Sequence, residues 1–410
     1  AGVRSMFEAW LGTAYDFDAL SVVLATAAAE RLDGDPVWLM VLSGSGNGKT
    51  ETVQPLSGAG AVVTSTITSE GALLSGTSAR EKGKDATGGL LRRLGPSGVL
   101  VIKDVTSILS MNRDARSMVL AALREIHDGK WERNIGTDGG RTLTWTGRIS
   151  VIGACTTAWD RAHEVIASMG DRFVVVRMKS GTRLDVGRQA LLNTGQESLM
   201  RQKLADVVAA LLTTVDPTEA IHPKPEEVDR LLRAANLVTL CRTAVDYDYK
   251  GGVIDAHEPE APTRFGKQLL QIMRGACAIG LSRVEALALA IRCARDSMPP
   301  LRLQILEDVA AHPHSRTGDV RRRIDKPYTT VDRQLQALHM LGVLTVDEVA
   351  VAGGKTSWLY AVAEDIDVAA VASPEMSGGG AQPVAEAPYF NSSTTCSDKS
   401  GDGEVARERF

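Results

Sequence analysis

The feature that most constrains this chain is an apolar run that ends in a glycine-rich octet. Residues 37–42 (Val-Trp-Leu-Met-Val-Leu) lead straight into Ser43-Gly44-Ser45-Gly46-Asn47-Gly48-Lys49-Thr50. A short apolar run bounded by turn residues reads as a strand buried on both faces, the kind found in a parallel sheet flanked by helices. The residues after the octet are compatible with a helix. Exposed N–H groups at a helix start favour anions, and glycines let the backbone come close to them.

The octet follows the pattern GxxxxGK[ST] except at its first position, where Ser43 replaces glycine while Gly44, Gly46 and Gly48 remain. In that pattern Lys49 reaches the β- and γ-phosphates of ATP, and Thr50 binds Mg²⁺. Ser43, Gly44, Ser45, Gly46, Asn47, Gly48 and Glu51 complete the expected nucleotide contacts. Such a loop needs an acid on the metal side, carried by a neighbouring strand. Asp104 closes the apolar run 98–102, 54 residues after Thr50, and is the expected second metal ligand.

The rest of the chain supplies an α/β setting. Residues 1–34 read as amphipathic helix. Further strands are expected at 61–68, 149–154 and 173–176, and a helix at 113–127 with Met118, Ala121, Ala122 and Ile126 at helical spacing. Residues 76–98 read as a loop with one short helix. Segments 131–135 and 141–145 flank a Gly-rich break and read as a hairpin carrying Lys130, Arg133 and Arg141. After residue 185 the pattern turns helical. Leu204, Val207, Val208 and Leu211 mark one stripe; Val228, Leu231, Leu232, Ala235 and Val238 mark another. Further helices are expected at 264–278 and 283–295. Alternating strands and helices imply a parallel sheet. The expected division is a helical segment 1–35, an α/β core 36–185, a helical lid 186–297, a C-terminal module 298–368 and a disordered tail 369–410.

Composition narrows the function. The 410 residues hold 46 basic and 50 acidic side chains, a net charge of −4, so any contact with nucleic acid must be local. Arginine supplies 33 of the basic residues. No apolar run approaches the ~18 residues of a membrane span. Five cysteines without a CxxC pair fit a reducing, cytoplasmic setting and argue against a structural zinc site. Aromatics at 4% argue against base-stacking platforms. No secretory signal is visible, and a start at Ala1 leaves room for an upstream piece.

Together these elements resemble the AAA+ ATPases. The likeness is greatest to the branch with a β-hairpin before the fourth core strand: minichromosome-maintenance helicases, MoxR-type ATPases and bacterial enhancer-binding activators. It covers roughly residues 36–296. It rests on the octet 43–50, the strand 99–104, the stretch 123–133 with the Gly139-Gly140 turn, Ile152-Gly153-Ala154-Cys155-Thr156-Thr157, Met169-Gly170-Asp171-Arg172-Phe173 and Pro262-Thr263-Arg264-Phe265. The resemblance implies that Thr156 or Thr157 orients the attacking water. It implies that Arg172 is an arginine finger reaching a neighbouring subunit's γ-phosphate, and that Arg264 is a second sensor on a lid helix. Read singly, each arginine is equally a surface ion pair. One departure concerns the general base: AAA+ enzymes carry Glu after the strand-ending Asp, and this chain has Val105. Either Asp104 serves both roles, or a carboxylate such as Glu70 or Glu125 enters the site, or hydrolysis is slow.

Residues 301–362 read as a winged helix. Helices are expected at 301–310, at 318–324 with Thr317 as cap, and at 328–341 with Val331, Leu335 and Leu338 inward. A wing is expected at 350–356. If the third helix enters a major groove, Thr329, Thr330, Arg333 and Gln334 face bases, while Arg321, Arg322, Lys326 and Lys355 lie near phosphates. Residues 311–341 carry six basic and three acidic side chains, whereas over 301–368 acids exceed bases by ten to eight. Winged helices also bind proteins, and fold alone does not decide.

Three functions fit. The first is an ATPase acting on DNA as helicase, loader or replication initiator of a bacterium or phage, with ATP between subunits of a homo-oligomer such as a hexameric ring and with replication proteins as partners. The second is an ATP-gated DNA-binding regulator with weak hydrolysis. The third is a MoxR-like chaperone whose winged helix binds protein.

Overall fold

A computed structural model describes residues 2–76, 87–136, 140–162, 166, 171–179, 181–219, 221–351 and 355–372. Two helices, α1 (Gly2–Leu11) and α2 (Phe17–Ala29), precede β1 (Trp38–Leu42). Helix α3 (Lys49–Val53) then runs into a 3₁₀ turn, Gln54–Ala59. Next come β2 (Val62–Thr64), α4 (Glu70–Leu73), α5 (Leu90–Leu94), β3 (Ser97–Ile102), α6 (Thr106–Leu109) and α7 (Arg113–His127). The hairpin β4 (Lys130–Ile135) and β5 (Arg141–Thr146) leads to β6 (Arg148–Cys155), α8 (Ala158–Arg161) and β7 (Val174–Arg177).

Five strands form a parallel sheet in the order β2-β3-β6-β1-β7. Side chains of β1 alternate between two cores. Leu39 and Val41 join the helices α2 and those of residues 197–296, while Trp38, Met40 and Leu42 join α7 and the hairpin. Burial on both faces explains why this strand is continuously apolar. The strand expected at 61–68 is shorter, because residues beyond Thr64 turn under Asp104, whose N–H donates to the Ser65 carbonyl.

Among the described residues there follow eight α-helices and two hairpins: α9 (Arg183–Leu192), α10 (Glu197–Thr213), α11 (Pro225–Arg242), β8 (Val245–Tyr247), β9 (Val253–Ala256), α12 (Thr263–Ala278), α13 (Arg283–Asp296), α14 (Pro300–Ala311), α15 (Thr317–Arg323), α16 (Tyr328–Met340), β10 (Leu344–Val351) and β11 (Lys355–Val362). Helix α12 packs along α2, and α13 lies against β7. The outer edge of β7 is closed by side chains: Val175 N–H donates to Ser297 Oγ (2.9 Å) and Arg177 N–H to Asp296 Oδ2 (2.8 Å). These satisfy ladder groups that an edge strand leaves open.

Several expected faces are rotated. Val119, Leu123 and Ala122 face the core from α7, and Met118 is exposed. On α11, Val228 and Leu232 are exposed while Leu231, Ala234, Leu237 and Val238 are buried. On α10 the stripe is Met200, Leu204, Val208 and Leu212. A 3.6-residue period tolerates a one-residue rotation of the buried face, and only the neighbouring helix selects it. Thr317 is the first residue of α15 rather than its cap, and its hydroxyl donates to Asp332 Oδ1 at 3.0 Å. The expected wing is largely strand, since Ala350 pairs with Thr356 and Val351 with Lys355. Gly353, Gly354 and the tail from 373 lie outside the described residues, as do Gly139, Met169 and Gly170. The β8–β9 hairpin has no counterpart in the sequence reading.

Gly275 marks the tightest helix contact, since a Cβ there would overlap the Ala25 carbonyl of α2. We expect Gly275→Ala to destabilise the fold by about 1–3 kcal/mol, the cost of overpacking, measured as a shift of the urea midpoint at unchanged m-value.

Candidate functional site

The glycine-rich loop starts where β1 ends, at the C-terminal edge of the sheet. Gly48 has φ +76°, a conformation that glycine adopts without steric cost, and it turns the chain into α3. Lys49 Nζ folds back over the loop and donates to the Ser43 carbonyl (3.0 Å), Ser43 Oγ (3.2 Å) and the Gly44 carbonyl (2.7 Å). Burial lowers the Lys49 pKa, opposed by the nearby Cys155 and Asp104.

A cleft of about 1210 Å³ opens over this loop. It brings together Ser45, Gly46, Asn47, Gly48, Lys49, Thr50 and Glu51 with Asp104 and Thr156. Thr157 is exposed and immediately precedes α8, and it does not line the cleft. Val105 turns into the core against Gly153, so the position after Asp104 does not face the cleft. Thr106 lines the cleft instead, with its hydroxyl 3.4 Å from Thr156 Oγ1 and 3.5 Å from Cys155 Sγ. Burial raises the Cys155 pKa and keeps the thiol protonated. Glu125 is exposed on α7, and Glu70 pairs with Arg133 at 3.7 Å; neither lines the cleft. Among the described residues no group of three or more His, Cys, Asp or Glu could by itself hold a metal ion. The oxygen donors of Thr50 and Asp104 suit Mg²⁺, which keeps waters and shares phosphate oxygens rather than needing an all-protein cage.

Sequence reasoning missed most of the far wall. Tyr15 lies over the loop, 2.7 Å from the Thr52 hydroxyl, and burial raises its pKa. Lys103, Lys179, Arg188 and Arg201 also line the cleft. Helix α9 is fastened there by Gln189 Nε2 and Asn193 Nδ2, which donate to the Trp10 carbonyl at 3.0 and 2.6 Å. Lys103 adjoins Asp104 at the end of β3, but nothing local in the sequence signals Tyr15, Lys179, Arg188 or Arg201, which reach the cleft only through tertiary packing.

Arg172 and Arg264 sit elsewhere. Arg172 precedes β7, whose first residue is beside Leu39 while its last is beside Leu42. It therefore lies at the sheet edge opposite the loop. Its Nη2 is 3.4 Å from Asp128 Oδ2, and its carbonyl accepts Gln268 Nε2 at 3.1 Å. Arg264 pairs with Glu260 at 2.7 Å. Burial, with the charges of Arg172 and Arg242, lowers the Arg264 pKa against the pull of Glu260. Two arginines thus share one partly desolvated position.

The C-terminal residues divide. Arg321, Arg322, Lys326, Thr329 and Thr330 are exposed on α15, the turn and the start of α16. Arg333 is exposed as expected, although its Nη2 meets the Lys250 carbonyl of the β8–β9 hairpin, and Gln334 is half-buried against the same hairpin. Lys355 begins β11. On the β4–β5 hairpin, Arg133 turns inward and donates to the Leu74 carbonyl at 2.8 Å.

No protein-family model matches this chain, and no curated protein matches it. Among solved structures it is similar to the active helicase SCCmec type IV Cch, at 10% identity and TM-score 0.35, covering 90% of this chain and 70% of that one. It is also similar to the Aeropyrum pernix ORC1 protein in complex with DNA, at 16% identity and TM-score 0.24, covering 87% and 90%. At such scores the fold rests on the sheet order and loop geometry above. No helix among the described residues is long and apolar enough to cross a membrane.

Asp16 joins the cleft wall to α13. Burial raises its pKa, but two Arg292 hydrogen bonds (2.8 and 2.6 Å) and the Lys179 and Ala19 N–H groups outweigh this and leave it lowered. Its folded pKa lies below the unfolded value. The pair therefore stabilises the fold above the normal carboxylate range, and this contribution is lost as pH falls through the folded pKa. We expect Arg292→Ala to cost about 3–5 kcal/mol by stranding a buried carboxylate. Asp16→Asn should flatten the acid limb of a stability-versus-pH profile measured by urea unfolding.

Proposed function

We propose that this chain is an AAA+ ATPase that binds Mg²⁺-ATP at the glycine-rich loop and acts on DNA. The observation that carries the reading is the loop–Lys49–Asp104 constellation at the C-terminal edge of a β2-β3-β6-β1-β7 parallel sheet. Ligands of open α/β sheets bind at that edge. Lys49 would leave the loop carbonyls for phosphate oxygens, and Thr50 and Asp104 would hold Mg²⁺, which supplies charge neutralisation at the phosphates. Thr156 would position water, with Thr106 beside it.

The finer reading is a ring. Arg172 and Arg264 lie at the wrong edge for their own loop, which favours their use by a second copy. Helix α9 supports this: it buries none of its residues and leaves Leu184, Leu191 and Leu192 exposed at 81, 77 and 67% beside the cleft. A ten-residue helix is marginal alone, and a neighbouring subunit would cover its leucines. Residues 36–185 would be the core, 186–297 the lid and 298–368 a winged helix that sets the ring on DNA through Arg321, Arg322 and Lys326, in replication initiation, loading or unwinding, with replication proteins as partners in the cytoplasm.

A second reading is an ATP-gated switch with weak hydrolysis. Val105 favours it, since hydroxyls at Thr106 and Thr156 can orient water but cannot take its proton as a carboxylate does.

Calorimetric titration with Mg²⁺-ATP tests the site: Lys49→Ala should weaken binding at least ~100-fold, a loss of about 2.7 kcal/mol. Arg172→Ala should keep binding and lose turnover. An equal mixture of these two inactive variants should recover about a quarter of the wild-type rate, the share of head-to-tail interfaces pairing an intact loop with an intact arginine. Absence of ATP binding by the wild type would refute the reading. Binding without turnover, and no recovery on mixing, would favour the switch.

A further inference from the structure

The β8–β9 hairpin and helix α16 hold each other through the residues that the sequence pattern assigns to DNA. Arg333 Nη2 donates to the Lys250 carbonyl at 2.9 Å. Gln334 Nε2 donates to the Tyr247 hydroxyl at 3.4 Å, and its Oε1 accepts Arg302 Nε at 2.9 Å. Arg302 is buried and also donates to the Cys241 and Thr243 carbonyls at 2.8 and 2.7 Å, so Gln334 is anchored where α11 enters the hairpin. The hairpin tip fits Arg333 closely. Gly251 has φ +80°, and a Cβ there would overlap the guanidinium. Asp248 builds the tip by accepting the N–H groups of Lys250 (2.8 Å) and Gly252 (2.7 Å). Residues 245–256 carry three carboxylates, Asp246, Asp248 and Asp255, against the single Lys250.

We propose that this acidic hairpin is an intramolecular clasp over the nucleic-acid face of α16, which duplex DNA must displace. The inference rests on the DNA reading above. Two features make displacement feasible. Arg333 gives its hydrogen bond to a neutral carbonyl, and a guanidinium binds an ionised phosphate more strongly. The base of the hairpin is anchored by the buried Val245 and by Tyr247 and Val253 against the core, but its tip is lightly held: Tyr249 is 91% exposed and Lys250 is exposed. Elements with few buried contacts open at low cost. Arg321, Arg322 and Lys326, outside the clasp, make the first phosphate contacts. Arg333 joins after the tip lifts, and Gln334 stays with Arg302 as the pivot.

The test uses the full chain and a fluorescent duplex followed by anisotropy at low salt. A variant with residues 248–252 replaced by Asn-Gly keeps a two-residue hairpin turn but removes the Lys250 carbonyl. It should bind about tenfold more tightly than the wild type, as expected for releasing a charged hydrogen bond. Arg333→Ala should change affinity little in the wild type, where it removes both the clasp contact and a DNA contact. In the shortened variant it should weaken binding about tenfold. A second readout needs no variant: hydrogen exchange at residues 245–256 should accelerate when DNA is added. Equal affinities of wild type and shortened variant, with hairpin exchange unchanged by DNA, would overturn the clasp while leaving salt-dependent DNA binding intact. No binding by either form, and no effect of Arg321→Ala or Arg322→Ala, would overturn the DNA reading and the clasp with it.

Discussion

The seam between β7 and α13 is the constraint on which the rest of the molecule depends. β7 is the outer strand of a parallel sheet, and its outward N–H groups find partners in Asp296 and Ser297. Arg292, one turn earlier on α13, donates to the Arg177 carbonyl (2.9 Å) and clamps Asp16. Asp16 in turn caps α2 through Ala19 N–H and accepts Lys179 N–H. One ion pair thus fixes the end of the sheet, the start of α2 and the segment that carries Tyr15 over the loop. Both partners are largely shielded from water, and removing Arg292 leaves the Asp16 carboxylate without its cationic partner, whereas Arg292 also reaches Asp18 and Asp296.

From that seam the two edges of the sheet form separate halves of the α/β unit. One half stands at the C-terminal edge of the sheet, where strand ends place the loop, Asp104 and Thr156 around one cleft. The other stands at the N-terminal edge, where Gln268 accepts Trp38 N–H (3.0 Å) and donates to the Arg172 carbonyl. Chain direction in a parallel sheet keeps the two halves apart within one molecule.

The chain was most legible where backbone chemistry is local. The apolar run 37–42, the octet and the acid at 104 carry their own signals, because glycine conformations and two-sided burial leave few alternatives. Helix faces were less legible: Met118, Val228 and Leu232 fit the helical period yet face water, since the stripe depends on which helix packs opposite. Tyr15, Arg188 and Arg201 gave no signal, because they meet the loop across long sequence separations. Arg333 and Gln334 fit the outward positions of a third helix. The hairpin that meets them lies some eighty residues earlier in the chain and reads as ordinary loop.

By itself, then, the sequence determined the parallel α/β character, the glycine-rich loop after the first strand, the strand-ending Asp104 and the absence of a carboxylate at Val105. Each follows from residue chemistry acting over a few positions. Tertiary structure alone decided that Val105 packs inward and Thr106 faces the cleft. It alone placed Arg172 and Arg264 beyond reach of their own loop and seated the β8–β9 hairpin on α16. These outcomes depend on which surfaces meet after the sheet has formed, and long-range packing is settled by the burial and pairing of groups that no local pattern brings together.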